Sequence, residues 1–120
     1  MFHVEKLAIV GSRDFTDYAV VKNAVLSLFD IATLKEIVSG GAAGVDTLAE
    51  QLAAELGIKT TIFPADWARY GRGAGPQRNR QIVDAATFVL AFAKPTSRGT
   101  ANALAYCIKQ GKPYHVIPIE

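Results

Sequence analysis

Glycine and serine cluster where the sequence is expected to turn from a strand into a helix. The clearest run is Ser39, Gly40, Gly41 and Gly44, which leads directly into a helical pattern. Glycines let the backbone approach an anion closely and adopt positive φ, and a helix N-terminus offers free N–H groups. The run therefore suits a phosphate group, and it equally suits a tight turn whose glycines serve packing alone. It has neither the Gly-Lys-Ser/Thr of a Walker loop nor the full Gly-x-Gly-x-x-Gly spacing.

Charged side chains accompany two of the expected helix starts. Asp46 falls in the first turn after the glycine run. There the helix dipole stabilises a carboxylate, and this is one interpretation of the residue. The other is that Asp46 binds a ribose hydroxyl or orients Arg13. Arg78 and Asn79 fall in the first turn of a later predicted helix, where the dipole disfavours a cation. An arginine at that place indicates a nearby anion, because a guanidinium can bind phosphate through two hydrogen bonds.

Two further loops carry side chains that suit a nucleotide. Trp67 is the only tryptophan and follows Asp66 in a loop. The indole either stacks on a base while Asp66 accepts hydrogen bonds from ribose or base, or it forms a hydrophobic lid over the sheet edge. Gly99 and Thr100 open another helix, and they provide a second phosphate cradle, an N-cap, or both.

Other reactive residue types are interpreted as structural. Cys107 lies on the apolar side of a helical pattern, which favours a core position over a nucleophile. His3 and His115 have no metal-ligand spacing, and Arg69 and Arg80 are interpreted as members of a solvated face. The sequence therefore predicts no metal site, no resident cofactor and no Ser-His-Asp arrangement.

The polar loops need a scaffold that brings them together, and the apolar pattern predicts one. Strands are predicted over residues 7–10, 36–38, 59–63, 87–92 and 113–119. Helices are predicted over residues 20–31, 45–56, 76–85 and 100–110, with a long loop over 65–75. Apolar strands that alternate with helices indicate a five-stranded parallel sheet with helices on both faces, in a Rossmann-like α/β fold. Ligands bind such sheets at the carboxyl ends of the strands, where every polar loop described above lies.

Length and composition limit the class of protein. A chain of 120 residues, half of them hydrophobic, suits one globular domain over residues 1–120. A net charge of +2 is too small to indicate a nucleic-acid partner by itself. One cysteine, no signal-peptide pattern and no apolar run of membrane-spanning length predict a cytoplasmic protein with no membrane partner.

Five short motifs, taken together and in this order, resemble the small YspA/YpsA-related members of the SLOG superfamily. They are Gly-Ser-Arg-Asp-Phe (11–15), Ser-Gly-Gly-Ala-Ala-Gly-Val-Asp (39–46), Pro-Ala-Asp-Trp (64–67), Ala-Gly-Pro-Gln-Arg-Asn (74–79) and Ser-Arg-Gly-Thr (97–100). The superfamily also includes the DprA DNA-processing proteins and the LOG-type nucleotide phosphoribohydrolases. The resemblance implies a Rossmann-like fold, a site for a nucleotide derivative such as an ADP-ribose-like molecule, and a homo-oligomer.

Carried over by position, the resemblance implies a ligand site built from four loops. Its residues are Gly11, Ser12, Arg13, Ser39, Gly40, Gly41, Gly44, Asp46, Asp66, Trp67, Arg78, Asn79, Gly99 and Thr100. LOG-type hydrolases carry a catalytic glutamate three residues after the threonine, and this chain has Ala103 there. We therefore expect a nucleotide-derivative-binding protein that acts as a sensor or carrier. The alternatives are hydrolysis of an N-glycosidic or phosphoribosyl bond and, less strongly, single-stranded DNA binding as in DprA.

Overall fold

The five strands form a single sheet in which every pair is parallel. In the computed structural model, which describes residues 1–120, the strands are β1 (Lys6–Gly11), β2 (Glu36–Ser39), β3 (Lys59–Ile62), β4 (Phe88–Ala93) and β5 (Tyr114–Pro118). Their order across the sheet is β3-β2-β1-β4-β5. The chain moves outward in one direction from β1 and then in the other direction from β4, as in the predicted doubly wound fold. The prediction of a Rossmann-like α/β domain is confirmed.

Helices cover both faces of the sheet. They are α1 (Tyr18–Leu28), α2 (Val45–Leu56), α3 (Trp67–Tyr70), α4 (Ala74–Ala85) and α5 (Arg98–Gln110), with 3₁₀ turns at Ile31–Thr33 and Gly71–Gly73. Helices α1 and α2 pack on one face and α4 and α5 on the other. None of these helices combines the length and the apolar character needed to cross a bilayer.

Alternation along the strands divides the core between the two faces. In β1, Leu7 and Ile9 belong to the cluster beneath α1 and α2, whereas Ala8 and Val10 belong to the cluster beneath α4 and α5. Successive side chains of a strand point to opposite faces, so a fully apolar strand contributes side chains to both clusters. Cys107 is buried in the second cluster, which confirms its predicted core position.

The first helix differs from its predicted range at both ends. It begins earlier because Asp17 caps it, with a carboxylate oxygen that accepts a hydrogen bond from the Val20 N–H at 3.4 Å. It ends earlier because Phe29 turns to an extended conformation and becomes buried against Phe88. The prediction had extended the helix through Ile31, which instead opens a 3₁₀ turn.

The prediction of one long loop over residues 65–75 is wrong. Helix α3, the second 3₁₀ turn and the first residues of α4 occupy most of it, and α4 begins at Ala74 instead of Pro76. Asp66 caps α3 through a hydrogen bond from the Arg69 N–H at 3.1 Å. Gly71, at φ 53°, ends this short helix. The segment therefore consists of consecutive tight turns, which the pattern of apolar residues does not predict.

Candidate ligand-binding site

A cavity of about 440 Å³ opens at the carboxyl edge of the sheet, where β1 meets the N-terminal parts of α4 and α5. Its apolar wall contains Val10, Ile82 and Ala103. Its charged and amide side chains are Arg13, Asp46, Arg78, Asn79, Arg98 and Asn102. The volume falls in the range of small-molecule sites, and the place is the topological switch point of the fold.

A second cavity of about 320 Å³ adjoins the first. It is lined by residues 40–43 of the glycine loop and by Pro64 and Ala65. Arg13, Ala42, Trp67 and Arg78 line both cavities. The two spaces therefore meet at two guanidinium groups and an indole ring.

Two glycines of the glycine loop let neighbouring groups approach because they have no side chain. A methyl group at Gly40 would lie 2.5 Å from Arg78 Nη1 and 2.8 Å from Asp46 Oδ2. A side chain at Gly44, whose φ is 76°, would overlap the backbone of Ser12 and Arg13. Gly40 thus makes room for two charged side chains, and Gly44 makes room for the loop after β1.

Arg78 is the central cation of the site. Only 8% of it is exposed, and its Nη1 donates a hydrogen bond to the Gly40 carbonyl oxygen at 2.8 Å. Its Nε is buried and has no hydrogen-bond partner. Burial lowers the pKa of the guanidinium, and the charge of Asp46 opposes that shift. Because α4 begins at Ala74 instead of Pro76, Arg78 lies in the second helical turn, and the prediction that it lies in the first turn is wrong.

Asp46 is a buried carboxyl group beside that cation. It is 6% exposed, and its Oδ2 accepts a hydrogen bond from the Ala42 N–H at 3.2 Å. Burial raises its pKa to about 6, although the Ala42 hydrogen bond and the charge of Arg78 act in the opposite direction. No ion pair joins Asp46 to Arg13 or Arg78. The carboxyl group can therefore change charge near neutral pH at the wall of the cavity.

The hydroxyl groups of the two predicted serines donate hydrogen bonds within the protein. Ser39 is fully buried and donates to Glu50 Oε2 at 3.1 Å. Ser12 is buried and donates to Asp14, whose carboxylate also pairs with Lys94 at 2.8 Å. Neither serine lines either of the two cavities described above. Both stabilise loops at the carboxyl edge of the sheet.

Asn79 links the two helices that flank the main cavity. Its Nδ2 donates to the Gly99 carbonyl oxygen and to Asn102 Oδ1, both at 3.1 Å. The N-cap residue of α5, Ser97, makes no side-chain capping bond, and its hydroxyl instead bonds that of Thr100 at 2.8 Å. The first amides of α5 therefore remain available at the cavity wall, as an anion requires.

Trp67 stands at the mouth of both cavities. It is 52% exposed, and its ring lies over Gly75, where an added methyl group would be 3.6 Å from the indole. Asp66, which precedes it, is exposed and occupied as the cap of α3. The indole is therefore half-exposed at both cavities, and Asp66 caps the short helix that Trp67 begins.

The structure brings most of the predicted residues to the two cavities. Those that line at least one cavity are Gly11, Arg13, Gly40, Gly41, Asp46, Trp67, Arg78, Asn79, Gly99 and Thr100. Those that line neither are Ser12, Ser39, Gly44 and Asp66. The last four lie in the same loops and support the first set.

Arg98 lines the main cavity and was not singled out from the sequence. It is exposed and occupies the first position of α5. A cation at the first turn of a helix is disfavoured by the dipole unless an anion is near. Arg98, and not Arg78, is therefore the arginine that lies at a helix start, and the Ser-Arg-Gly-Thr motif carries that signal in the sequence.

Fold and site together define a doubly wound, Rossmann-like protein with a polar, arginine-rich cavity at the switch point of its sheet. The model of the YAcAr family, described as the YspA, cpYpsA-related SLOG family, matches residues 5–70. The chain belongs to this family. It is also 32% identical to the gene 61 protein of Mycobacterium phage D29 over 117 residues, which cover 92% of this chain and 94% of that protein.

Two solved structures of DNA processing protein A (DprA) share the fold. The protein from Streptococcus pneumoniae superposes with a TM-score of 0.78 at 24% identity, over 97% of this chain and 51% of that one. The protein from Helicobacter pylori gives 0.63 at 22% identity, over 97% of this chain and 66% of that one. The chain thus spans about half the length of the first protein and just under two thirds of the second.

Proposed function

We propose that the main cavity binds a nucleotide or nucleotide derivative, with phosphate held between Arg78, Arg98 and the first amides of α5. The observation that carries the proposal is Arg78, a buried guanidinium with one protein hydrogen bond and an unpartnered Nε. A buried cation with unused donors is costly unless an anion or a carboxylate completes its surroundings. Trp67 at the cavity mouth provides a surface on which a base stacks.

The second cavity favours a ligand that has a chemical group on each side of a central linker. The two cavities share Arg13 and Arg78, so a group that bridges them passes between two cations. A pyrophosphate is such a group, and an ADP-ribose-like molecule carries a sugar or nucleoside on each side of it. We propose a role as sensor or carrier, because the cavity presents Ala103 where LOG-type hydrolases carry glutamate.

Isothermal titration calorimetry tests this proposal. The ligands are AMP, ADP, ADP-ribose, NAD and ribose 5-phosphate, and the variant is Arg98→Ala, which removes an exposed lining cation. The matched control is Arg80→Ala, an exposed arginine of α4 outside both cavities. We expect Arg98→Ala to raise Kd by about tenfold or more, corresponding to ~1.4 kcal/mol, and the control to bind like the parent.

Either of two results would contradict the proposal. One is that no ligand of the panel binds at millimolar concentration. The other is that Arg80→Ala weakens binding as much as Arg98→Ala, which would assign the effect to net charge instead of the cavity.

Hydrolysis of an N-glycosidic or phosphoribosyl bond is the second candidate function, and Asp46 is the observation that favours it. A buried carboxyl group whose pKa is raised to about 6 has the protonation behaviour of a general acid or base. Chromatography of AMP and ADP-ribose after incubation with the protein measures release of base or ribose phosphate. Release that Asp46→Asn abolishes would support this function, and an unchanged chromatogram would exclude it for these substrates.

Single-stranded DNA binding is a third candidate because the H. pylori DprA structure describes a binding mode for that ligand. Arg69 and Arg72 are exposed and follow Trp67 within α3 and the adjoining 3₁₀ turn. Binding of a labelled oligonucleotide at several salt concentrations tests it, since phosphate contacts make affinity fall steeply with salt. Loss of binding in Arg69→Ala/Arg72→Ala but not in Arg98→Ala would favour DNA over a small ligand.

We also propose that the protein is a homo-oligomer and that it is located in the cytoplasm. The buried free thiol of Cys107 is compatible with a reducing compartment.

A further inference from the structure

The glycine loop between β2 and α2 bonds its amides within the protein. The Ala42 N–H donates to Asp46 Oδ2 at 3.2 Å, and the Gly41 N–H donates to a serine hydroxyl at 3.3 Å. The Val45 N–H, at the start of α2, donates to a carbonyl oxygen of the loop after β1 at 3.1 Å. Amides at such a turn and helix start are groups that bind an external anion. In this protein the Asp46 carboxyl group takes that place at Ala42 from within the chain.

This carboxyl group shares a small space with the central cation of the site. A methyl group at Gly40 would lie 2.8 Å from Asp46 Oδ2 and 2.5 Å from Arg78 Nη1, so the two atoms flank the same point. Asp46 is 6% exposed and Arg78 is 8% exposed, and both line the main cavity. The Arg78 Nε has no protein partner. A phosphate that reaches Arg78 inside this cavity therefore comes close to the carboxyl group as well.

Burial and neighbouring charges set the protonation of Asp46. Burial has the largest effect and raises the pKa of the carboxyl group to about 6. Arg78 faces it from α4 and favours the carboxylate, whereas Glu50, one turn further along α2, favours the neutral acid. Arg13, after β1, and Arg98, at the start of α5, line the same cavity. At neutral pH the free site thus holds a carboxylate beside its buried cation.

We propose that binding of a pyrophosphate ligand in the main cavity is coupled to the uptake of one proton by Asp46. This inference rests on the proposed function, since it concerns the same ligand and the same cavity. A carboxylate and a phosphate in one enclosed space repel each other. The proton comes from solvent and stays on a carboxyl oxygen of Asp46, so the charge of Arg78 is left to the ligand. The site therefore binds more weakly as pH rises from 5.5 to 8.

ADP-ribose is the probe that shows this coupling most directly. Its pyrophosphate keeps a constant charge over this range, whereas a phosphomonoester such as AMP gains charge near pH 6 and would mask the effect. Calorimetry at pH 6.5 in MES and in Bis-Tris, whose ionisation enthalpies differ, measures the protons taken up for each ligand bound. We expect an uptake of about 0.5 proton or more at this pH. We also expect Kd to be about tenfold or more higher at pH 8 than at pH 5.5.

The Asp46→Asn variant distinguishes a titrating group from a structural one. It should bind ADP-ribose without proton uptake and, at pH 8, more tightly than the parent, because the repelling charge is gone. A purely structural role would instead weaken binding at every pH. The matched control is Asp14→Asn, which removes an exposed carboxylate that lines neither cavity. A hydrogen bond from Lys94 lowers the pKa of Asp14, so this variant should keep the pH dependence of the parent.

The outcomes separate this inference from the proposed function. Binding of ADP-ribose by the parent with no proton uptake and a constant Kd would overturn the inference and leave the proposed function intact. Proton uptake that persists in Asp46→Asn would place the proton on another group and would overturn the inference too. No binding of ADP-ribose at any pH from 5.5 to 8 would overturn the choice of a pyrophosphate ligand together with the inference. The first two measurements use the parent chain and stand even where the variant folds poorly.

Discussion

Gly40 is the residue on which the geometry of the two buried charges depends. An added methyl group there would meet Arg78 Nη1 and Asp46 Oδ2 at 2.5 and 2.8 Å, so at least one of these side chains would have to move. We predict that Gly40→Ala weakens binding of the ligand found by calorimetry by about tenfold or more. Gly73→Ala is the matched control, because its added methyl group meets nothing within 4 Å and its φ is −79°. Equal affinities of the two variants would contradict the prediction.

The carboxyl group of Asp46 should make stability depend on pH. Its pKa rises from an ordinary 3.8 to about 6 in the folded protein, so the folded state holds the proton more tightly than the unfolded chain. The stabilisation by this proton is complete below pH 4 and is lost as pH rises through 6. The pKa difference corresponds to about 3 kcal/mol in the free energy of unfolding.

Urea unfolding of the parent and of Asp46→Asn at pH 4, 5, 6 and 7 measures this dependence. Because the variant has no titrating group at this position, the parent should lose free energy of unfolding relative to the variant as pH rises from 4 to 7. The difference in free energy of unfolding between the two proteins would contradict the prediction if it did not change with pH, or if the parent gained stability relative to the variant. Either result would show that Asp46 is not buried as a neutral acid.

At the scale of elements, Gly11 sets how closely α2 approaches the sheet. A methyl group at this last residue of β1 would lie 2.6 Å from the Phe92 carbonyl oxygen and 2.7 Å from Val45 Cγ2. Backbone of β4 and the first turn of α2 would both have to shift. We predict that Gly11→Ala lowers the free energy of unfolding by about 1–3 kcal/mol, the usual cost of overpacking. Chemical denaturation measures it, and a midpoint equal to that of Gly73→Ala would be the contrary result.

The sequence predicted elements well where apolar spacing was long and closed by a clear stop. The range of α2 was predicted correctly at both ends, because Gly44 and Gly57 flank a regular apolar stripe and Gly57 adopts the left-handed conformation of a helix stop. The segment after β3 was predicted poorly. Helix α3 spans only Trp67–Tyr70, and its cap, Asp66, had been interpreted as a ligand contact.

The site was predictable as a set of loops but not as a set of contacts. Parallel topology alone brings the four polar loops to one edge, which is why most of the named residues line the cavities. Spacing could not show that the hydroxyls of Ser12 and Ser39 bond within the protein. Nor could it separate Arg78, which turns inward to Gly40, from Arg98, which stays exposed at the start of α5.

At the scale of the whole molecule, one sheet couples two apolar clusters. Leu52 belongs to the cluster beneath α1 and α2, and Ile82 belongs to the cluster beneath α4 and α5. Because both clusters draw side chains from β1, β2 and β4, neither face can unfold alone. We predict that Leu52→Ala and Ile82→Ala each cost about 2–5 kcal/mol and leave a single transition with an unchanged m-value.

Circular dichroism in the far and near ultraviolet during urea unfolding tests this coupling. The two signals should coincide in the parent and in both variants. A variant in which the near-ultraviolet signal is lost first would show that the face carrying the substitution melts separately from the sheet.

The position of Trp67 has a practical consequence. The chain contains a single tryptophan, which is half-exposed and lines both cavities together with Arg13 and Arg78. The wavelength of maximum fluorescence emission and the quenching by iodide therefore report the environment at the entrance of the site and at no other part of the molecule. The protein carries its own optical probe of occupancy, and a titration can be followed on the unmodified chain without a label.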